Sequence, residues 1–366
     1  MSVNVVNIDD PDEGHPLRFI SWNVKGLNGP VKRAKVFSHL KQLKPDILFL
    51  QETHLRLEDH NRLRRNWISQ IFHSKFTSRS RGVAILVAKS TQFSASNVIS
   101  DPNGRFLIVS GSLFQKPVVL VNVYAPNWDD VHFANKILSL IPNLNTHQLI
   151  FSGDLNCAID PLLDRSNPKQ ISSGMAKSFS LFMQQSGFVD PWRILNPLSK
   201  QFSFFSHVHR SFSRLDYFFI DNSFISMIKR IEYTAIVISD HSPVLLDLSF
   251  PLNIRERPPW RFDPLLLSSE EFCSFISTNI NTFLTINETD SVSYSVLWET
   301  LKAYLRGLII SYSSYASRER KKEMQALAQS ILELDRKYSE TPSAKLYKER
   351  ADLQTKFNYL TTKQSE

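Results

Sequence analysis

The sequence predicts an α/β fold in which two β-sheets pack face to face, helices cover their outer surfaces, and a helical extension follows. Three observations predict it. Short, continuous apolar runs of strand length recur from Arg18 to about Phe250, as strands buried on both faces require. Stretches with apolar residues at helical spacing lie between several of them. Beyond Phe250 the pattern turns helical alone.

In chain order, residues 1–16 read as a leader. Strands are expected at Arg18–Trp22, Ile47–Leu50, Val83–Val87, Phe106–Val109, Val118–Val123, Leu149–Phe151, Leu215–Ile220 and Val244–Leu248. Helices are expected at Val31–Leu43, which ends before Pro45, at Phe133–Leu140 and at Ala176–Gln185. Residues 17–250 then form the main domain. Residues 251–263, rich in proline and charge, read as a linker. Residues 264–366 read as a helical tail, with Trp298, Leu301, Leu305 and Leu308 on one face. Met324, Leu327, Ile331, Leu334 and Tyr338 follow heptad-like spacing, Pro342 interrupts, and Leu346, Leu353, Phe357 and Leu360 resume it. Two amphipathic helices joined by a short turn would result, a hairpin burying its own stripe rather than a coiled coil with a partner.

A net charge of +8 favours a polyanionic partner such as nucleic acid. Cys157 and Cys273 match no metal spacing and read as reduced thiols of an intracellular protein. The acidic start has no apolar segment of a signal peptide, and no apolar run reaches the length of a membrane span.

Polar groups cluster at the ends of the apolar runs, where α/β folds build their sites. The clusters are Trp22-Asn23-Val24-Lys25, Gln51-Glu52-Thr53-His54, Tyr124-Ala125-Pro126-Asn127, Gly153-Asp154-Leu155-Asn156, and the pair Ser213-Arg214-Leu215-Asp216 with Ser239-Asp240-His241. Hydrolysis of a phosphodiester needs a hard cation on oxygen ligands, for which Glu52 is a candidate with Asn23 or Asp240. It needs a group that orients or deprotonates water, for which Asp154 is a candidate, placed by Asn156. It needs donors to the phosphate oxygens, which His241, Asn156 and Tyr124 supply. A cationic histidine needs a carboxylate on its other nitrogen, and Asp216 is placed to be that group.

In this order the clusters resemble the endonuclease/exonuclease/phosphatase superfamily, and within it the endonuclease of LINE-type non-LTR retrotransposons, related to apurinic endonucleases and exonuclease III. The opening Asn23 to Asn28, the stretch from Asp154 to Leu163-Asp164-Arg165-Ser166, and Phe202-Ser203-Phe204-Phe205-Ser206 are especially similar to the LINE group. The resemblance spans about residues 17–250 and implies a four-layer α/β sandwich. It implies Glu52 as main metal ligand, Asp240 near the metal or its water, and Asn23 holding the polar network. It implies Asp154 orienting water beside Asn156, Tyr124 and Asn127 on phosphate, and Asp216 orienting His241. Ser203 and Ser239 resemble supports behind the DNA-facing groups. The implied cofactor is Mg²⁺, with Mn²⁺ able to substitute. The implied partner is double-stranded DNA, and the implied location is the nucleus.

Lys25 departs from the pattern, because apurinic repair enzymes commonly carry Asp two residues after the opening Asn. A cation there puts a second metal in doubt and favours a retrotransposon nickase over a repair enzyme. The segment His207 to Ser211 lies where the LINE group has a hairpin that reads groove shape, so Arg210 and the two histidines are expected on DNA. The tail resembles the connector before the reverse transcriptase of such elements. No polymerase segment follows it, so a truncated or domesticated transposon product is expected. The C-terminal helices are a candidate surface for a protein or nucleic-acid partner. The expected activity is nicking of duplex DNA to leave a 3′-hydroxyl. The alternatives are an apurinic endonuclease or 3′-to-5′ exonuclease, an inactive remnant that binds nucleic acid, and, less favoured, a lipid phosphodiesterase.

Overall fold

A computed structural model describes residues 16–142, 144, 146–168, 171–250, 261–289 and 292–363. The expected leader, but for Pro16, and residues 251–260 of the expected linker lie outside them. The first half supplies strands β1 Leu17–Asn23, β2 Ile47–Gln51, β3 Ile68–Ser74, β4 Val83–Ala88, β5 Phe93–Ser100, β6 Phe106–Leu113 and β7 Lys116–Tyr124. The second supplies β8 Gln148–Asp154, β9 Phe188–Val189, β10 Phe204–Ser206, β11 Ser211–Ser213, β12 Asp216–Asp221, β13 Ile228–Tyr233 and β14 Val244–Leu248. The helices are α1 Pro30–Leu43, α2 Val131–Leu140, α3 Gly174–Ser186, α4 Pro191–Leu195, α5 Glu270–Asn287, α6 Tyr294–Glu340 and α7 Ala344–Lys363.

The strands form two six-stranded mixed sheets, β13-β14-β1-β2-β4-β3 and β5-β6-β7-β8-β12-β9, with β10-β11 as a separate hairpin. Each sheet has one parallel pair, β1 with β2 and β7 with β8. Parallel neighbours need a crossover, and α1 and α2 supply them. Phe19, Phe49 and Val244 of one sheet meet Val109, Leu120 and Phe218 of the other in the central core. The outer face of the first sheet buries Val36, Phe37 and Leu40 of α1, and that of the second buries residues of α2 and α3. The result is the expected four-layer sandwich with a helical extension.

Strands β3, β5 and β13 have no counterpart among the expected strands. Their outward faces are polar, as in Phe93–Ser100, where only Phe93 is buried, so no continuous apolar run marks them. The sheets are also joined by a polar contact in their core. Gln51 Nε2 donates to Asn122 Oδ1 at 2.7 Å, and Asn122 Nδ2 donates to Leu50 O and Ala84 O.

The chain forms two compact units, Met1–Arg255 with Leu327–Glu366, and Glu256–Ala326. The tail expected from residue 264 onward therefore divides at Leu327, inside α6. The cause is apolar burial: Tyr338 joins Phe205, Phe212 and Ile236 in one buried cluster. In the second unit Phe283, Leu297 and Leu301 bury one another, while Trp298, expected on that face, is exposed. Among the described residues, no helix is long and apolar enough to cross a membrane.

The loop after β8 is locked by ions. Asp164, fully buried, accepts from Arg214 Nε at 2.8 Å, Arg193 Nη2 at 2.6 Å and the Tyr217 hydroxyl at 3.2 Å. Arg214 is as buried and also reaches Asp190 at 2.7 Å. Removing Asp164 leaves the buried Arg214 Nε and Nη2 without an acceptor while Asp190 still holds Nη1, so Asp164→Ala is expected to lower stability by about 2–3 kcal/mol. Urea unfolding of the full chain measures this, and a loss below about 1 kcal/mol would show that the cluster is relaxed by solvent.

Candidate active site

The two parallel pairs end side by side, and their C-terminal ends carry the site. Asn23 closes β1, Glu52 follows β2, Tyr124 closes β7 and Asp154 closes β8. Antiparallel pairing brings in the rest. Asp216 of β12 stands opposite Asp154. Because Val244 of β14 stands opposite Ser21, the loop before it sets Asp240 and His241 beside the end of β1.

Asn23 is buried, and its amide binds two carboxylates: Nδ2 donates to Glu52 Oε1 and to Asp154 Oδ2, each at 2.9 Å. Its Oδ1 accepts the Lys25 N–H at 3.0 Å. Asp154 Oδ1 accepts the Asn156 N–H at 2.9 Å, while Asn156 Nδ2 donates to Ala125 O at 2.8 Å. His241 Nδ1 lies 2.8 Å from Asp216 Oδ2, and Nε2 lies 3.7 Å from Asp154 Oδ2, beyond hydrogen-bond reach. Trp22 Nε1 donates to His241 O at 3.0 Å and fixes the backbone of that residue.

These surroundings drive the titrating groups apart. Burial pushes Glu52 up, but hydrogen bonds with His54, Asn23 and Tyr124 outweigh it and bring its carboxyl down to about 2. Burial pushes Asp154 up to about 7, against the pull of His241. Burial alone would lower His241, yet Asp216 and Asp154 raise it to about 10, so an imidazolium is the stable form. Burial, Glu52 and Asp154 raise Tyr124, which keeps its proton and serves as a donor.

Asp154, Asp216 and His241 offer ligand atoms within 4.8 Å of one another, a group able to hold a metal. An imidazolium does not ligate, so the oxygens are the better donors. Glu52 fits a hard cation best. It is held anionic and its side chain stays 20% exposed, hence reachable.

The structure thus brings together Asn23, Glu52, Tyr124, Asp154, Asn156, Asp216 and His241. Asp240 sits at their edge, its Oδ2 2.6 Å from Lys25 Nζ. Ser203 and Ser239 are buried behind the cluster. Ser203 Oγ accepts the N–H groups of Leu215 and Asp216, and Ser239 Oγ donates to Asn23 O. Asn127 is exposed on the loop after β7. Arg210 is exposed on the β10-β11 turn, its guanidinium 5.4 Å from the Tyr347 ring. Neither is gathered into the cluster.

Sequence reasoning gave His54 no role, although it stands 3.1 Å from Glu52 Oε2. It also missed the backbone. Lys25, Glu52, His54 and Asn156 all have left-handed φ, between 48° and 52°. Asn156 and His54 are of types enriched in that region, and Lys25 and Glu52 are not. Gly153 has φ 147°, and a Cβ there would lie 2.0 Å from Val123 O, so glycine alone lets β7 and β8 end this close.

A buried acid, an imidazolium and a held carboxylate thus converge at the strand ends of a four-layer sandwich. The model of the Endonuclease/Exonuclease/phosphatase family matches residues 20–241, and the chain belongs to that family. It is similar to the transposon TX1 uncharacterized 149 kDa protein of Xenopus laevis, 26% identical over 328 residues, which cover 88% of this chain and 25% of that protein. The chain thus spans about a quarter of that relative's length. It is also similar to the exodeoxyribonuclease of Bacillus subtilis (strain 168), 26% identical over 261 residues, covering 63% of this chain and 98% of the enzyme. Among solved structures, the AP endonuclease of Leishmania major shares the fold with a TM-score of 0.55 and 22% identity, over 65% of this chain and 89% of that one.

The folded His241 value lies above the ordinary 6.5, so its stabilising contribution is complete below about 6.5 and fades as pH rises through about 10. Wild-type His241 is expected to remain protonated at about pH 8. In Asp216→Asn its midpoint should fall toward 6.5. Imidazole NMR of the metal-free protein follows both, and an unchanged midpoint in the variant would rule out Asp216 as the cause.

Proposed function

We propose that this chain is a Mg²⁺-dependent endonuclease that nicks duplex DNA and leaves a 3′-hydroxyl for reverse transcription, acting in the nucleus. The observation that carries the reading is the placement of His241, its Nδ1 2.8 Å from Asp216, beside an Asp154 that Asn23 and the Asn156 N–H hold in position and that burial shifts upward. Phosphodiester hydrolysis is served by that combination, a fixed positive donor for the phosphate and a carboxylate that can take a proton from water.

In this reading the Nε2–H of His241 donates to a non-bridging phosphate oxygen, and the Tyr124 hydroxyl turns from Glu52 to a second one when the substrate binds. Asp154, aimed by Asn23 and the Asn156 N–H, takes a proton from water as its oxygen bonds to phosphorus. The bond from phosphorus to O3′ breaks, and the leaving oxygen gains a proton from solvent. Glu52 would hold the Mg²⁺, which neutralises charge on the phosphate and the leaving oxygen when bound. Mn²⁺ would substitute, since both ions take oxygen donors. Asp240, engaged by Lys25, favours one cation over two.

Similarity to the transposon TX1 protein supports a role in retrotransposition. A second reading, as an exonuclease or apurinic endonuclease, is favoured by similarity along 98% of the B. subtilis exodeoxyribonuclease. Supercoiled plasmid and an abasic duplex, each with Mg²⁺ or chelator, separate the two. Nicked plasmid that requires Mg²⁺ is expected, with His241→Ala and Glu52→Gln slower by about 10²–10³-fold. Faster cutting of the abasic duplex would favour the second reading, and cutting in chelator would sink both. Calorimetry of the wild type is expected to find about one Mg²⁺ site per chain. Two sites of similar affinity would refute the role given to Lys25.

A further inference from the structure

Asp240 and His241 lie on a loop, residues 234–243, that joins β13 to β14 and is closed at its base by the Thr234 N–H on Pro243 O at 3.1 Å. Within it, two main-chain carbonyls receive side chains of α7. Arg350 Nη2 donates to Ile236 O at 3.3 Å, and Gln354 Nε2 donates to Val237 O at 3.1 Å. Arg350 Nη1 also donates to Gln354 Oε1 at 2.9 Å, and Arg350 Nε donates to Asp335 of α6.

Two further paths run from α7 to the same pair of residues. In the first, the Arg350 guanidinium lies 5.0 Å from the Phe205 ring, and the Phe205 N–H donates to Asp240 O at 3.1 Å. The adjoining Phe204 ring lies 4.7 Å from that of His241. In the second, Phe357 meets His39 edge-on at 6.4 Å, and His39 lies 5.6 Å from Trp22, the donor to His241 O. His39 is half-buried, both its ring nitrogens are shielded from solvent and unpartnered, and burial lowers it to about 4, so it acts as an apolar spacer.

Burying a guanidinium costs several kcal/mol, and a hydrophobic residue of similar volume would serve stability as well. A buried arginine that spends a donor on a loop carbonyl fixes direction instead, because its fork is planar and preorganised. We propose that Arg350 and Gln354 are positioning residues for the catalytic loop, so that the working nuclease extends through α7 rather than ending at Phe250. The inference rests on the role given above to His241.

The test uses the full chain with Arg350→Lys and Gln354→Leu, and Lys345→Ala, 86% exposed on the same helix, as control. Arg350→Lys keeps a cation beside Asp335 but loses the fork. In both test variants kcat for nicking is expected to fall at least about tenfold, with KM for duplex within about twofold of wild type. Lys345→Ala should match wild type. A kcat that is unchanged, or that falls only with the folded fraction measured by melting, overturns the proposal. If wild type does not cut DNA, the functional reading fails, and amide exchange at residues 236–241 then decides the positioning claim. Exchange about tenfold faster in Arg350→Lys supports it, and equal exchange overturns it.

Discussion

One amide group holds the site together. Asn23 closes a strand of the first sheet, Asp154 closes a strand of the second, and a single Nδ2 donates to both Asp154 and Glu52. Two carboxylates brought this close would repel, and both would lose water to burial. A neutral donor between them satisfies each without adding charge. The way the two sheets pack decides whether the amide can reach both, so the core and the chemistry are one geometric problem. The Gln51–Asn122 contact in the core, at the end of β2 and two residues before the end of β7, ties the sheets in the same register.

Around that amide, similar groups acquire different properties. Glu52 faces three hydrogen-bonding neighbours and partial exposure, and stays ionised. Asp154 is deeper, meets fewer donors and rises toward neutrality. His241 sits against Asp216 and keeps its charge despite burial. Pairs of titrating groups pushed apart by their environments are how one fold provides an acid and a base at the same pH.

Much of this was legible in the sequence. The long apolar runs marked the central strands, because a strand buried on both faces has no polar alternation to blur it. The site residues were legible because each adjoins such a run, as Asp154 adjoins Leu149-Ile150-Phe151. What stayed hidden depends on partners remote in sequence. Strands β3, β5 and β13 lie toward the sheet margins and read as mixed polar text. Lys25 was visible as an oddity, but its ion pair spans 215 positions. The grip of Arg350 on Ile236 spans 114 and links segments that composition assigns to different domains.

The left-handed backbone of Lys25, Glu52, His54 and Asn156 also bears on how such a chain changes over generations. Lys25 and Glu52 each give up about 1 kcal/mol relative to glycine by adopting that conformation, and His54 and Asn156 less. A population drifting under demand for a sturdier fold would therefore find glycine attractive at those four codons. At Glu52 and Asn156 that drift would erase side chains the cluster is built from. Durability and an intact cluster are thus opposed at a few identifiable positions, and a lineage no longer selected on this cluster would be expected to decay there first.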